Sequence, residues 1–585
     1  MNPMKTIWSD TVGEKPLQEY PRPQFQRDSY HNLNGIWMCC FSQEESLPTT
    51  FDTPILVPFS PECLLSRVNR VLQPGEYLFY RREFTLSDKE REGRVLLHFG
   101  AVDQICTVYV NRKEVVQNRG GYYPFEADIT DVMKEENELI VKVQDFSNTN
   151  GMEFGKQKLN RGGIWYTPQS GIWQTVWLEC VPEDYLKSVK ITPDLPNRAI
   201  HFAFDKSNAD IPVQMEISFA SQLLSAHTAT DKEIVIPLSD VREWSPEKPD
   251  LYDVKFTYGS DTVTSYFAMR SISVETAKDG KRRVCLNGRP YFLNGLLDQG
   301  YWSDGLYTAP SEEAMVFDIL ECKRLGYNTL RKHIKVEPLR WYYLCDKYGM
   351  LVLQDMVNGG TDYSTWYSVA FQLVRGPIKD DKAHRKGFGR EDEEMQKEFA
   401  VSLERMIRHL YNSPCIVLWT IFNEGWGQFD SANFYQIVKK MDPTRLIDHA
   451  SGWHDQGGGD IDSHHNYFRK QKVTPDKRGN SRPYVITEFG GYALKLKEHS
   501  FNLKQTFGYK AIRNEEDLNN QVHRLYFEQI LPCVRDGLAG AIYTQVSDVE
   551  DEVNGLFTFD RKVIKFREET VSSVYKEIEK IYQDL

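Results

Sequence analysis

The sequence predicts a multidomain chain: an N-terminal β jelly roll over 1–182, an immunoglobulin-like β-sandwich over 183–272 and a C-terminal (β/α)8 TIM barrel over 273–585. Three observations predict it. Up to about residue 272 the chain is a series of short β-prone runs split by turn signals, with almost no helical periodicity. From about residue 275 strand-like and helix-like segments alternate, the pattern of a parallel sheet with crossover helices. Finally, the apolar run Ile416-Val-Leu-Trp-Thr-Ile-Phe422 does not alternate and stops at Asn423-Glu424-Gly425. Such a run suits a strand buried on both faces, and a polar pair at its carboxyl end falls on the catalytic rim of a barrel.

In the first module the runs Tyr77–Phe84, Val95–Phe99, Thr107–Val110 and Leu139–Val143 read as strands, with Asn111-Arg-Lys and Gly120-Gly121 among the turns between them. The stretch Arg161-Gly-Gly-Ile-Trp165-Tyr166-Thr-Pro-Gln-Ser-Gly-Ile-Trp173 is a loop rich in glycine and aromatics, placed either to reach a neighbouring cleft or to pack in a core. The second module offers Leu186–Ile191, Val213–Phe219, Glu233–Pro237 and Tyr252–Tyr258, about the strand spacing of a small sandwich. Barrel strands one to three are expected at Tyr291–Leu297, Thr329–Ile334 and Leu351–Met356, with helices over Ser311–Leu325 and Pro338–Tyr348. An insertion follows, then a long helix over Asp392–Tyr411, strand four at Ile416 and a helix over Ser431–Lys440. Strands five and six fall at Leu446–Ala450 and Ile461–Tyr467, with little to support a helix between them. Strand seven begins at Tyr484, a helix spans Glu515–Arg535, strand eight spans Leu538–Gln545 and a last helix begins near Lys565.

Apolar and charged fractions of 41% and 26% are those of a soluble globular protein. A net charge of −12 argues against nucleic acid or an anionic membrane as partner, because both need a basic patch. There is no apolar run of membrane-spanning length and no signal-peptide core near Met1. Ten scattered cysteines without Cys-x-x-Cys spacing read as reduced, buried thiols, so a cytoplasmic setting is expected, and a homo-oligomer is compatible with all of this.

A second stretch, Tyr484-Val-Ile-Thr-Glu488-Phe-Gly490-Gly491, repeats the grammar of the first. The two glutamates are 64 residues apart and would leave strands four and seven, which face each other across a barrel mouth. Glycoside hydrolysis needs two carboxyl groups flanking one bond: one protonates the leaving oxygen, and the other attacks carbon or activates water.

Asn423-Glu424 and Thr487-Glu488-Phe-Gly resemble the acid/base and nucleophile motifs of glycoside hydrolase family 2, which contains β-galactosidases, β-glucuronidases and β-mannosidases. The resemblance covers nearly the whole chain and includes Trp244-Ser-Pro-Glu-Lys-Pro-Asp-Leu-Tyr and Asn287-Gly-Arg-Pro. It implies a sugar-binding jelly roll, a retaining exo-β-glycosidase with Glu424 as general acid/base and Glu488 as nucleophile, and a carbohydrate as partner. It also implies that Asn423 bonds the sugar 2-hydroxyl, that Arg331 lies near the nucleophile and that Tyr467 bonds it. His333 and the pair His464-His465 lie at strand ends, where sugar contact and ordinary packing are both open, and Trp165 is a further sugar-contact candidate.

Three departures bear on the substrate. Glucuronidases carry an Asn-x-Lys element, and the matching region here, Asp551-Glu-Val-Asn554-Gly-Leu-Phe-Thr-Phe-Asp560, has no lysine in place. Tyr543 stands about where strand eight usually ends in a tryptophan platform. Asp298-Gln299 replaces the His-Glu of galactosidase- and glucuronidase-like members; Asp298 is retained as a sugar contact, and no catalytic metal or cofactor is expected. A β-galactoside is the first expectation, with galacturonide, glucuronide and arabinoside as alternatives. The rivals are a silent carbohydrate-binding protein and a metallohydrolase built on Asp460, Asp462, His464 and His465.

Overall fold

A computed structural model describes residues 4–361, 363–364, 367, 376–474 and 482–585. In its N-terminal part a four-stranded and a six-stranded antiparallel sheet face each other. Strand Glu136–Gln144 lies at the centre of the larger sheet, paired to Tyr77–Thr85 from Val143↔Leu78 to Glu136↔Thr85 and to Ile105–Val110 on its other side. Its odd residues Leu139, Val141 and Val143 are fully buried in the core between the sheets, as the period of two requires. Next come a three-stranded and a four-stranded sheet, forming a small sandwich. Strand Val213–Phe219 alternates strictly, with Val213, Met215 and Ile217 buried and Gln214 and Glu216 exposed. Its core is aromatic: Phe202 meets Phe256 and Phe267 edge-on at 5.6 and 5.9 Å.

The remainder is the barrel. Its strands are β1 (Leu293–Asp298), β2 (Thr329–Lys332), β3 (Leu351–Asp355), β4 (Ile416–Thr420), β5 (Leu446–Asp448), β6 (Asp462–Asn466), β7 (Tyr484–Gly490) and β8 (Leu538–Thr544), all parallel. The hydrogen-bonded order is β5-β4-β3-β2-β1-β8-β7-β6, so the seam lies between β5 and β6. The segment 449–461 that joins those two strands contains no helix, in keeping with its weak sequence pattern.

The outer helices begin where short polar side chains can cap them. Ser311 accepts from the Ala314 amide at the start of α1 (Glu312–Arg324), and α2 spans Leu339–Tyr348. Asp392 accepts from the Glu394 and Met395 amides at the start of α3 (Glu393–Leu410), which α4 (Ser431–Met441) follows. The expected helix over Glu515–Arg535 is instead interrupted. α5 (Glu515–Leu525) passes into one π turn, Tyr526–Ile530, before α6 (Leu531–Asp536). Pro532 explains this, since it has no N–H to continue an i→i−4 ladder. The last helix, α7, spans Glu569–Gln583. No helix among the described residues is long and apolar enough to cross a membrane.

Register fixes which residues face the barrel interior, because partners on parallel strands point the same way. Arg331 pairs with Leu297 and Leu353, and Leu297 pairs with Thr544. Arg331, Asp355 and Thr544 therefore share the inner face, whereas Lys332, Asp298 and Tyr543 face the helices.

The first two modules are tied to the barrel by specific contacts. Trp244 Nε1 donates to the Asp346 carbonyl at 2.8 Å, and Tyr266 Oη donates to Asp346 Oδ2 at 2.7 Å. The jelly-roll loop around Arg161 crosses to the barrel mouth, where Arg161 pairs with Glu550 and with Asp551 at 2.6 Å, and Tyr166 bonds Glu552.

Candidate active site

The mouth of the barrel brings Glu424 and Glu488 together. One oxygen of each lies within 4.8 Å of the other and of a His465 ring nitrogen. Glu488 leaves the inner face of β7, and Glu424 sits just past β4 with φ of +50°. That left-handed backbone is costly for a glutamate, by about 1–3 kcal/mol, and such strain persists where the surroundings over-determine it. Here the Glu424 amide donates to the Ser451 carbonyl at 2.9 Å, and the next residue is Gly425 at φ +74°. A Cβ at Gly425 would lie 2.6 Å from the His454 ring, so the Asn-Glu-Gly order suits this turn.

Glu488 is held by charges. Arg331 Nη1 donates to Glu488 Oε1 at 3.0 Å, while its Nε donates to Asp355 at 3.0 Å and its Nη2 to Asn423 Oδ1 at 2.8 Å. Tyr467 Oη donates to Glu488 Oε2 at 2.5 Å and lies 2.9 Å from Thr544 Oγ1. Burial opposes ionisation of Glu488, but His465, Arg331 and His333, with the Tyr467 hydrogen bond, overcome it and hold the carboxyl well below the ordinary value. Glu488 is thus a fixed carboxylate. His465 Nδ1 is 2.7 Å from Glu424 Oε1, and its Nε2 is 3.5 Å from Glu488 Oε1 and 3.1 Å from Ser451 Oγ. His333 is buried against Asp355 at 2.9 Å, and burial pulls it below the usual histidine value. Asn423 Nδ2 is buried and has no partner among the described residues, so it is a donor available to a substrate.

The residues singled out from the sequence therefore divide. Asn423, Arg331, Tyr467, His333 and His465 converge on the glutamate pair. Trp165 reaches the same mouth from the jelly roll, its ring 5.2 Å from Trp426 on the loop carrying Glu424. Three do not converge. His464 stacks on Tyr484 at 4.3 Å and pairs with Asp462, since it precedes His465 on β6 and faces the other way. Tyr543 is enclosed by Phe489, Tyr526 and Phe566 on the helix side of β8, and its neighbour Thr544 is the residue that faces the pair. Asp298 pairs with Lys332 at 2.6 Å, which also holds Glu337, in the layer outside the barrel. The quartet of the metallohydrolase rival is likewise dispersed: Asp460 bonds Tyr435 and Lys439.

Several residues at the mouth escaped the sequence reading. Asp355 ends β3 on the inner face, and the strand-end rule that found the glutamates applies to it as well. Tyr509 stacks on Tyr467 at 3.5 Å and 5°. Glu552 is buried, which raises its carboxyl above the usual value, and it feels the charges of Lys156 and Glu488. Lys156, from the jelly roll, is 5% exposed, with Nζ 4.8 Å from the Trp426 ring centroid and 5.6 Å from that of Trp165. The last three come from loops, where no periodicity announces a direction.

Comparison with known proteins agrees with this architecture. Residues 278–585 match the model described as "Glycosyl hydrolases family 2, TIM barrel domain", residues 49–182 the "sugar binding domain" of that family, and residues 185–270 a third model named for the same family. A protein named "Beta-galactosidase" from Priestia megaterium is 24% identical over 503 residues, covering 81% of this chain and 43% of the relative. A second of that name from Lactococcus lactis is 25% identical, covering 81% and 44%. The chain thus spans about half the length of these relatives. Among solved structures, a β-glucuronidase from an uncultured Clostridium superposes with a TM-score of 0.72 at 17% identity, over 96% of this chain and 99% of that one. A β-galacturonidase from Eisenbergiella tayi bound to galacturonate gives 0.67 at 19%, over 97% and 99%. At such identities these two show the shared fold.

Proposed function

The chain belongs to glycosyl hydrolase family 2, and from that premise we propose that it is a retaining exo-β-glycosidase. It removes terminal sugars through a covalent glycosyl-enzyme intermediate. The observation that carries this reading is the approach of Glu424 and Glu488 to within 4.8 Å, oxygen to oxygen, with Glu488 ion-paired to Arg331. Carboxyl groups about 5–5.5 Å apart leave no room for a water between them and the sugar, so one of them attacks carbon directly.

In this mechanism the Glu488 carboxylate attacks the anomeric carbon while Glu424 gives its proton to the leaving oxygen. Glu424 then takes a proton from the water that attacks the same carbon and releases Glu488. Arg331 and Tyr467 hold both Glu488 oxygens, which fixes the direction of attack. Asn423 Nδ2, already oriented by Arg331, donates to the sugar 2-hydroxyl, a contact that strengthens as the oxocarbenium-like transition state forms. No metal or cofactor takes part. Relatives named β-galactosidase make an aryl β-galactoside the first substrate to test. Ten unpaired cysteines, eight of them buried, support a cytoplasmic protein.

The test is turnover of aryl β-glycosides by the unaltered protein and by Glu488→Gln, which should lower kcat by at least about a thousandfold. A 2-fluoro aryl glycoside should add one glycosyl unit to Glu488, read by peptide mass. Turnover that survives Glu488→Gln, or a label on another residue, would overturn the assignment.

A further inference from the structure

Lys156 is the unusual group at this mouth. Its side chain leaves the jelly roll and ends beside the indoles of Trp426 and Trp165. No hydrogen bond or ion pair joins its ammonium to any described residue. The carboxylates whose charges it feels, Glu552, Glu488 and Glu424, are each engaged with Tyr166, Arg331 or His465. Burial draws the ammonium below the ordinary lysine value, against the pull of those three acids.

A desolvated ammonium has three N–H donors and no acceptor. The indole faces stabilise its charge, but they accept no N–H···O bond in the manner of an oxygen. The side chain is 5% exposed, and an oxygen-rich anionic group arriving at the mouth would give this largely buried charge the partners that the described residues do not. The remainder of the mouth is rich in acceptors: Glu424, Glu488 and Glu552 suit the hydroxyl hydrogens of a sugar. Arg331, the cation beside the nucleophile, is already engaged with Glu488, Asp355 and Asn423, whereas Lys156 sits close enough to the glutamate pair to feel both charges and has no such oxygen partner among the described residues.

We propose that Lys156 recognises an anionic group on the terminal sugar, so that the substrate is an acidic β-glycoside whose carboxylate, as in a β-hexuronide, pairs with the Lys156 ammonium. This rests on the glycosidase reading above and narrows it. Carbon 5, which carries the carboxylate carbon 6, and carbon 1, which carries the scissile bond, flank the same ring oxygen, so one sugar can touch Lys156 and the glutamate pair together. A charge-assisted N–H···O bond of this kind is roughly twice as strong as a neutral one, which makes Lys156 a selector between acidic and neutral sugars. Its origin in the jelly roll means that the first module contributes to the choice of sugar.

The test compares kcat/KM for 4-nitrophenyl β-D-galacturonide, β-D-glucuronide, β-D-galactoside 6-sulfate and neutral β-D-galactoside, in the unaltered protein, Lys156→Met and Lys156→Arg. The unaltered protein should prefer a uronide to the neutral sugar. Lys156→Met should reduce that preference by about thirtyfold or more, the scale of a buried charge pair losing one partner, and Lys156→Arg should restore part of it. The two uronide arms identify the ring configuration, and preference for the sulfate would replace carboxylate by sulfate as the group read. A uronide-to-neutral ratio that is the same in all three proteins overturns the proposal and leaves the glycosidase reading intact. A second arm needs no turnover: calorimetric titration of Glu488→Gln protein with galacturonate, glucuronate and galactose, with and without Lys156→Met. Tighter acid binding that vanishes with Lys156→Met supports the proposal even if no aryl glycoside is cleaved; equal affinity for acid and neutral sugar overturns it.

Discussion

Replacing Tyr467 by Phe should move the acidic limb of the pH profile upward. The Tyr467 hydroxyl donates to Glu488 Oε2 at 2.5 Å and lies 2.9 Å from Thr544 Oγ1. A hydrogen bond to a charged group contributes about 1.5–3 kcal/mol, and one pKa unit corresponds to about 1.4 kcal/mol. Removal should therefore raise the Glu488 pKa by about one to two units from its depressed position. Because Glu488 must be ionised to attack, kcat/KM in the unaltered protein should fall only well below the ordinary glutamate value, and in Tyr467→Phe within or near that range. The sign on stability follows the same way. A carboxyl whose folded pKa is depressed stabilises the fold above its unfolded value, near 4.3, and that contribution is lost as pH falls through the folded pKa. Tyr467→Phe should thus cost stability at neutral pH and much less in acid. The assay is kcat/KM on an activated aryl glycoside across acid to neutral pH, with melting temperature at the two ends. An acidic limb that stays in place or moves down would refute the view that Tyr467 holds the ionised form.

Other expected outcomes follow from the same geometry. His465→Asn, which removes the ring lying between Glu424 and Glu488, should lower kcat by about tenfold to a hundredfold with a smaller change in KM; a change in KM alone would count against that placement. Arg161→Ala leaves Glu550 and Asp551, both almost wholly buried, without their cation and should cost about 3–5 kcal/mol. This would appear as an earlier melting transition. Strong chelator should leave aryl glycoside turnover unchanged even though Glu424, His465 and Glu488 are close enough to hold an ion; loss of activity restored by a divalent metal would require a different mechanism.

Much of this site was legible in the chain because buried parallel strands announce themselves. The runs that begin at Ile416 and Tyr484 lead into Asn423-Glu424 and Glu488, and a barrel turns two such strand ends into neighbours. Arg331 and Tyr467 were pointed to by the family resemblance instead. Where the reading failed, it failed by one residue. Tyr543 and Thr544, or His464 and His465, are both near the end of a strand, and only the register says which of each pair faces in. The sequence carries that parity weakly when both faces of a strand are buried, since the alternation of apolar and polar residues that would reveal it is absent. β6 and β7 are further offset by irregularities between His464 and His465 and after Ile486, which no local pattern marks.

Lys156 lay beyond the reach of that rule for a different reason. A strand end points at the barrel mouth by construction, but a side chain from another module reaches it only through the docking of two folds. That docking is fixed by contacts such as Arg161 with Asp551 and Tyr166 with Glu552, which join positions nearly 400 residues apart. The division has a physical consequence for this protein. Groups that perform the proposed reaction sit on the barrel strands or directly after them, held by ion pairs that tolerate little displacement. The residue proposed to select the sugar sits on a loop that the barrel does not build. Changes in that loop can therefore alter the sugar accepted while Glu424, Glu488, Arg331 and Tyr467 keep their places, so specificity and reaction can vary separately on one scaffold.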